Sequence, residues 1–229
     1  MKKVAILQSN YIPWKGYFDL IGSVDEFILF DEMQYTRRDW RNRNKIKTPN
    51  GLKWLTIPVS VKGKYLQTIN ATETEGTAWA KDHWLALSSN YRRAPHFEAV
   101  ASWLAPLYEE LSDTSLSRIN ERFLAETCER LAIDTPISRC EDYAMIDGKS
   151  ERLAHLCAQA GGDVYVSGPA ARDYLDLSPF EARGIAVEWF DYAGYPEYPQ
   201  LWGPFVHGVT VLDLMFNCGA DAPAFLHRE

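Results

Sequence analysis

Apolar positions change their spacing three times along the chain. Lys3–Leu7 and Glu26–Asp31 are short segments with continuous apolar centres, the pattern of interior strands in a parallel sheet. Between them the polar and aromatic stretch Gln8–Tyr17 leads into a short helix ending near Gly22. Ile46–Lys47 and Trp54–Val59 flank Thr48-Pro49-Asn50-Gly51, whose Asn-Gly pair tolerates positive φ and predicts an antiparallel hairpin. From Ala78 to Leu131 the spacing becomes helical. Phe97, Val100, Ala101, Leu104, Leu107, Tyr108 and Leu111 form one stripe, and Leu116, Ile119, Phe123 and Leu131 a second. The α/β alternation then returns: a helix at Lys149–Ala160 closed by Gly161-Gly162, a strand at Val164–Val166, a helical piece stopped at Gly184, and a strand at Ile185–Asp191. A last helix spans Val209–Phe216, with Gly219 as its stop. The expected class is α/β: a mainly parallel sheet with a β-hairpin and a helical middle third, one domain over 1–229 with a helical insertion or layer at about 78–132.

Composition narrows the setting. In 229 residues, 46% hydrophobic and 24% charged content excludes intrinsic disorder, and no apolar run approaches the ~18 residues of a membrane span. Met1-Lys2-Lys3 precedes an apolar stretch too short for a secretory signal, so a cytoplasmic location is the default expectation. Cys128, Cys140, Cys157 and Cys218 lie far apart with no Cys-x-x-Cys pair and read as reduced core residues, with no metal site indicated. A net charge of −7 argues against nucleic acid as a partner, although clustered cations can still build a local anion site.

Three segments carry candidate chemistry. The stretch Asp31–Lys45 follows the second strand, where open α/β sheets bind ligands, and holds Gln34, Arg41, Asn42, Arg43, Asn44 and Lys45. Guanidinium forks suit phosphate oxygens and the amides suit sugar hydroxyls; the bland alternative is a solvated edge strand. Gln8, Tyr11 and Trp14 follow the first strand, with flat rings for a base or sugar. Ser167 and Gly168 repeat the strand-to-turn arrangement, with Ser167 as a candidate helix cap. The aromatic, proline-rich stretch Glu188–Phe205 contributes Trp202 as a possible pocket wall and leads to His207, the candidate general base, with Asp31 as second choice. His207 can equally be read as a cap of the last helix. Gly148-Lys149-Ser150 is not a phosphate loop, because Tyr143 stands where its first glycine belongs. His83 and His155 fall in helical stretches and His227 in the tail, none with a recognisable partner.

Taken together, Gln8–Phe18, Asp31–Lys45, Tyr165–Pro169, Tyr195–Gln200, His207-Gly208 and Leu212-Asp213 resemble the WbqC-like family over nearly the whole chain. The resemblance implies a role in bacterial O-antigen (lipopolysaccharide) biosynthesis: a transferase attaching glycine or another small acyl group to the amine of a nucleotide-linked amino sugar. Its partners would be that nucleotide sugar, or another small anionic substrate, and an acyl donor such as a thioester; whether a cofactor such as ATP takes part is left open. The alternatives are an ATP-dependent nucleotidyl-transferring or amide-forming ligase, whose usual first-loop histidines are absent here, and a non-catalytic glycan-binding protein.

Overall fold

A computed structural model of the chain describes residues 1–226; His227 lies outside the described residues. Five parallel strands form one sheet: β1 (Lys3–Leu7), β2 (Glu26–Leu29), β5 (Ile137–Arg139), β6 (Val164–Ser167) and β7 (Ala186–Trp189), in the order β5-β2-β1-β6-β7. Val4 pairs with Glu26 on one side of β1 and with Tyr165 on the other. A separate antiparallel hairpin joins β3 (Arg43–Thr48) to β4 (Gly51–Thr56). The expected α/β class, mainly parallel sheet and hairpin are all present.

Strand alternation divides the core between the two faces of the sheet. Val4, Ile6, Ile28, Phe30 and Tyr165 pack against α5 (Ser150–Gln159) and α6 (Ser178–Glu181) through Ala154, Cys157 and Phe180. Ala5, Phe27, Leu29, Val164 and Val166 face the opposite way, into a larger cluster with α1 (Lys15–Gly22) and α7 (Val211–Cys218). That cluster runs on through α2 (Ala78–Tyr91), α3 (Phe97–Glu109) and α4 (Leu116–Arg130), which take up both predicted stripes. All four cysteines are buried and free.

Two expectations needed correction. The hairpin strands begin earlier than predicted, so Arg43, Asn44 and Lys45 belong to β3 and pair with Thr56, Leu55 and Trp54. Strand β5 had no sequence signal, because three half-buried residues at a sheet edge are too few to show a period.

The helical layer is tied to the loop after β1 by a buried polar chain. Tyr11 lies 2.7 Å from the Tyr108 hydroxyl and 2.9 Å from His83 Nδ1. Since the other side of the His83 ring is engaged by the Thr56 backbone, Nδ1 accepts from Tyr11, and the ring is neutral. Burial lowers the His83 pKa from 6.5 to about 4. The unfolded chain therefore takes up a proton between pH 6.5 and 4 that the folded chain refuses, and stability falls as pH drops through this window. The expected loss at pH 4 is roughly 3 kcal/mol. Urea denaturation of wild type and His83→Gln at pH 7 and near pH 4.5 checks this: the acid-induced loss should shrink in the variant, and an identical loss in both would place the sensitivity elsewhere.

Candidate functional site

The chain builds outward from β1 through β2 to β5, then returns to the other side of β1 with β6 and β7. The carboxyl ends of β1 and β6 therefore flank the point where the winding reverses, the place where open α/β sheets leave a crevice. A cavity of about 470 Å³ occupies it. Gln8, Phe30, Tyr165 and Ser167 line it from the sheet, Lys149, Ser150 and Arg152 from the start of α5, and Tyr174 from the 3-10 turn after β6.

On the other side of the β1 loop lies a second cavity of about 350 Å³, lined by Asn10, Pro13, Trp14, Trp40, Asn44, His207 and Gly208. Gly16 makes its wall: a Cβ there would sit 2.4 Å from the Trp14 ring, which folds back over the first turn of α1. Trp14 in turn leans on Tyr192 and Tyr195, with ring centroids 5.5 and 5.7 Å away. Lys15 is buried beneath this wall, with Nζ donating to the Pro196 carbonyl at 2.7 Å and standing 5.2 Å from the Tyr195 and Tyr198 rings. Burial lowers its pKa to about 8. His207 packs edge-on against Phe205, and burial together with the Lys15 charge pushes its pKa below the usual imidazole value, leaving a neutral ring at pH 7.

One segment connects the cavities. Gln8 lines the first and Asn10 the second. Arg41 clamps both, donating to Asn10 Oδ1 and, at 3.3 Å, to Gln8 Oε1. Asn44 donates to the carbonyls of Tyr11 (3.2 Å) and Ile12 (2.9 Å), where Ile12 holds a φ of +38°, a region that β-branched residues avoid. Asp31 accepts from Ser9 N at 2.8 Å and from the Ser117 hydroxyl, tying the loop to α4.

The sequence candidates thus separate. Gln8 and Ser167 meet at one cavity, beside Lys149, which the sequence did not offer as a site residue, and Trp14, Asn44 and His207 at the other. Tyr11 is fully buried in the core, and Asn42 is spent on the Ile57 carbonyl. Asp31 has both carboxylate oxygens engaged, and burial raises its pKa. Arg43 stacks on Trp54 at 4.1 Å and donates to the Arg38 carbonyl, while Lys45 stands 4.9 Å from the Trp54 ring. Gln34 bonds the Tyr65 carbonyl, and Trp202 bonds the Asn90 carbonyl away from both cavities. Gly168 lies beside Tyr192 at the end of β6. Neither proposed cap forms: Gly168, not Ser167, precedes the 3-10 turn, and Thr210, not His207, caps α7 by accepting from Leu212 N at 3.3 Å. Lys15, Arg152 and Tyr174 carried no usable sequence signal, because a lone cation or tyrosine reads as a solvated side chain until the fold surrounds it.

The family model described as the WbqC-like protein family matches residues 8–225. The uncharacterized protein Rv1507c of Mycobacterium tuberculosis is 58% identical over 226 residues, covering 99% of this chain and 98% of that protein. No solved structure matches. Among the described residues, no helix is long and apolar enough to cross a membrane, and no group of three or more His, Cys, Asp or Glu side chains is placed to hold a metal ion.

Asn44 is the test of how the segment is held. Asn44→Ala leaves two buried carbonyls without their donor, and unfolding in urea should show a loss of about 2–4 kcal/mol. A loss below ~0.5 kcal/mol would mean that the loop does not depend on this amide.

Proposed function

The chain belongs to the WbqC-like protein family, and from that premise we propose that it is a transferase of bacterial surface-polysaccharide assembly, attaching glycine or another small acyl group to the amine of a nucleotide-linked amino sugar. The observation that supports it most directly is His207: a neutral imidazole at the edge of a cavity walled by Trp14 and Trp40, with the amides of Asn10 and Asn44 beside it. Indole faces suit the C–H surface of a sugar ring, and the Nδ2 of Asn10 suits its hydroxyls, the Asn44 amide being engaged by backbone. In the proposed step the amine nitrogen bonds to the carbonyl carbon of an activated acyl donor, such as a thioester, and the C–S bond breaks. His207 takes the proton lost by the nitrogen, and the thiolate leaves. The start of α1 is not capped by any side chain, and although Tyr17 N is bonded to the Trp14 carbonyl, the N–H groups of Lys15 and Gly16 are suited to the developing oxyanion.

A second reading, an ATP-consuming amide-forming or nucleotidyl-transferring ligase, draws on the cavity at the winding reversal, which suits any nucleotide. Mass spectrometry of reactions containing an amino-sugar nucleotide and acyl thioester, with and without ATP, separates the two. Product without ATP supports transfer from the thioester, strict ATP dependence supports the ligase, and ligand binding with no product under any condition leaves a glycan-binding protein.

For the transferase, His207→Asn and His207→Ala should fold normally, since Thr210 caps α7, and should lower kcat by ~10²–10⁴ with KM little changed. A base must be neutral to act, so the acid limb of the kcat/KM profile should have its midpoint below 6.5. Near-normal turnover of His207→Asn would reject this base.

A further inference from the structure

We infer that the cavity between β1, β6 and the start of α5 is a nucleoside-diphosphate site, with the base held among Phe30 and Tyr174 and the phosphates met by Lys149 and Arg152. This deepens the transferase reading and rests on it for the sugar attached to the nucleotide, but nucleotide binding is measurable by itself.

The argument begins with position. Of the cavities in the described residues, this one sits at the reversal of strand winding, and about 470 Å³ is within the range of small-ligand sites. Its walls are divided by chemistry. Ile6, Leu7, Phe30, Tyr165 and Leu175 give an apolar slot, while among the described residues the charged ones lining it are Lys149 and Arg152. No carboxylate lines it, in a chain of net charge −7. The two cations are also available. Lys149 is exposed and forms no hydrogen bond or ion pair among the described residues. Arg152 donates Nε to the Ile146 carbonyl, stands 5.9 Å from the Phe30 ring centroid and pairs with Asp147 at 4.0 Å, which positions the guanidinium at the slot while leaving donors for an anion.

The basic strand that sequence reasoning favours for the phosphates is otherwise committed. Arg43 lies against Trp54 and bonds the Arg38 carbonyl, and the Lys45 amine hovers between Trp54 and Trp40. Tyr174 shows the opposite behaviour: it is 74% exposed and lines the cavity, so most of its ring surface is open to a ligand there. Such a ring is a platform for a planar base.

Geometry then links the two halves of a nucleotide sugar. Gln8 lines this cavity and Asn10 lines the His207 cavity, and two residues of extended chain span about 7 Å. A diphosphate passing along this segment would carry its sugar from one cavity to the other, beside the Arg41 clamp.

The test is isothermal titration of the intact protein with ADP, GDP, UDP, CDP and dTDP, and with ATP, at ~0.1 M salt. The inference expects at least one nucleoside diphosphate to bind, with Lys149→Ala and Arg152→Lys each weakening it by about tenfold and Tyr174→Ala weakening it further than phosphate contacts alone explain. Lys149 and Tyr174 are exposed, so their variants fold, and circular dichroism verifies it. Preference for UDP, CDP, GDP or dTDP identifies a nucleotide sugar as the source of the diphosphate, and preference for ADP and ATP identifies the ligase substrate. Binding that survives in Lys149→Ala and Tyr174→Ala but is lost in Arg43→Ala overturns the assignment, as does absence of binding at about 1 mM of every nucleotide. Acyl transfer is scored separately: nucleotide binding with these sensitivities and no acyl product would retire the transferase reading and keep the site, whereas acyl transfer with unaltered KM in these variants would do the reverse.

Discussion

Residues 8–13 follow β1 into the interior without forming a helix or sheet ladder, and their buried backbone groups must still be paired. The rest of the fold supplies those partners. Tyr17 donates to the Gln8 carbonyl at 2.9 Å, Asp31 receives Ser9 N, and the Trp40 carbonyl receives Tyr11 N at 3.1 Å. Asn44 covers the Tyr11 and Ile12 carbonyls, and Val211 N, at the head of α7, donates to the Pro13 carbonyl at 2.8 Å. Elements from the sheet, the hairpin and the last helix thus converge on six residues. This is the means by which the positive φ of Ile12 is held, since an isolated loop would relax it.

The aromatic segment 189–205 is fixed in a comparable way, around a buried carboxylate. Asp213, in the first turn of α7, accepts from the hydroxyls of Tyr91 and Tyr198 and from Gln200 Nε2, each at 2.7 Å. Gln200 returns its carbonyl oxygen to Lys47 of β3 at 2.6 Å. Burial raises the Asp213 pKa, and its three donors pull the other way. Lys47 also donates to the Gly203 and Pro204 carbonyls, and the Tyr195 hydroxyl donates to Asp19 of α1, so the segment is held to both the hairpin and the first helix. The residues that shape the His207 cavity are consequently stabilised by groups that never face it.

How much of this the chain discloses in advance depends on range. The parallel strands, the hairpin and the helical stripes are local patterns, and they appear where periodicity places them within a few residues. Of the residues singled out from the sequence, Gln8, Trp14, Asn44, Ser167 and His207 line cavities. Polar residues whose work is to satisfy distant backbone are not legible: Asn42 and Asn44 look like ligand-reading amides because nothing local reveals that the Ile57, Tyr11 and Ile12 carbonyls need them. The same holds for Arg43 and Lys45, whose cross-strand neighbours include Trp54, so a cluster of cations in sequence becomes a cation and indole stack in space. Lys15 is missed for the converse reason, since its burial comes from Pro196, Tyr195 and Tyr198, about 180 residues away in sequence.

The electrostatics of the two cavities complete the argument. A chain of net charge −7 repels anions at long range, yet each cavity keeps cations that are at most loosely paired: Lys149, with no ion pair among the described residues, and Arg152, 4.0 Å from Asp147, at one, and Lys15, hydrogen-bonded to a carbonyl, behind the other. In a partly desolvated recess such charges act with much less screening than on the surface, so a local attraction can outweigh the weak, salt-screened repulsion of the whole. Lys15 does a second thing. After desolvation, its charge is the next cause that disfavours a proton on His207; Glu197 opposes both, and an incoming anion would oppose them further. Binding an anionic substrate would therefore raise the proton affinity of His207 as the substrate arrives, strengthening it as a base when its proton acceptor role is needed.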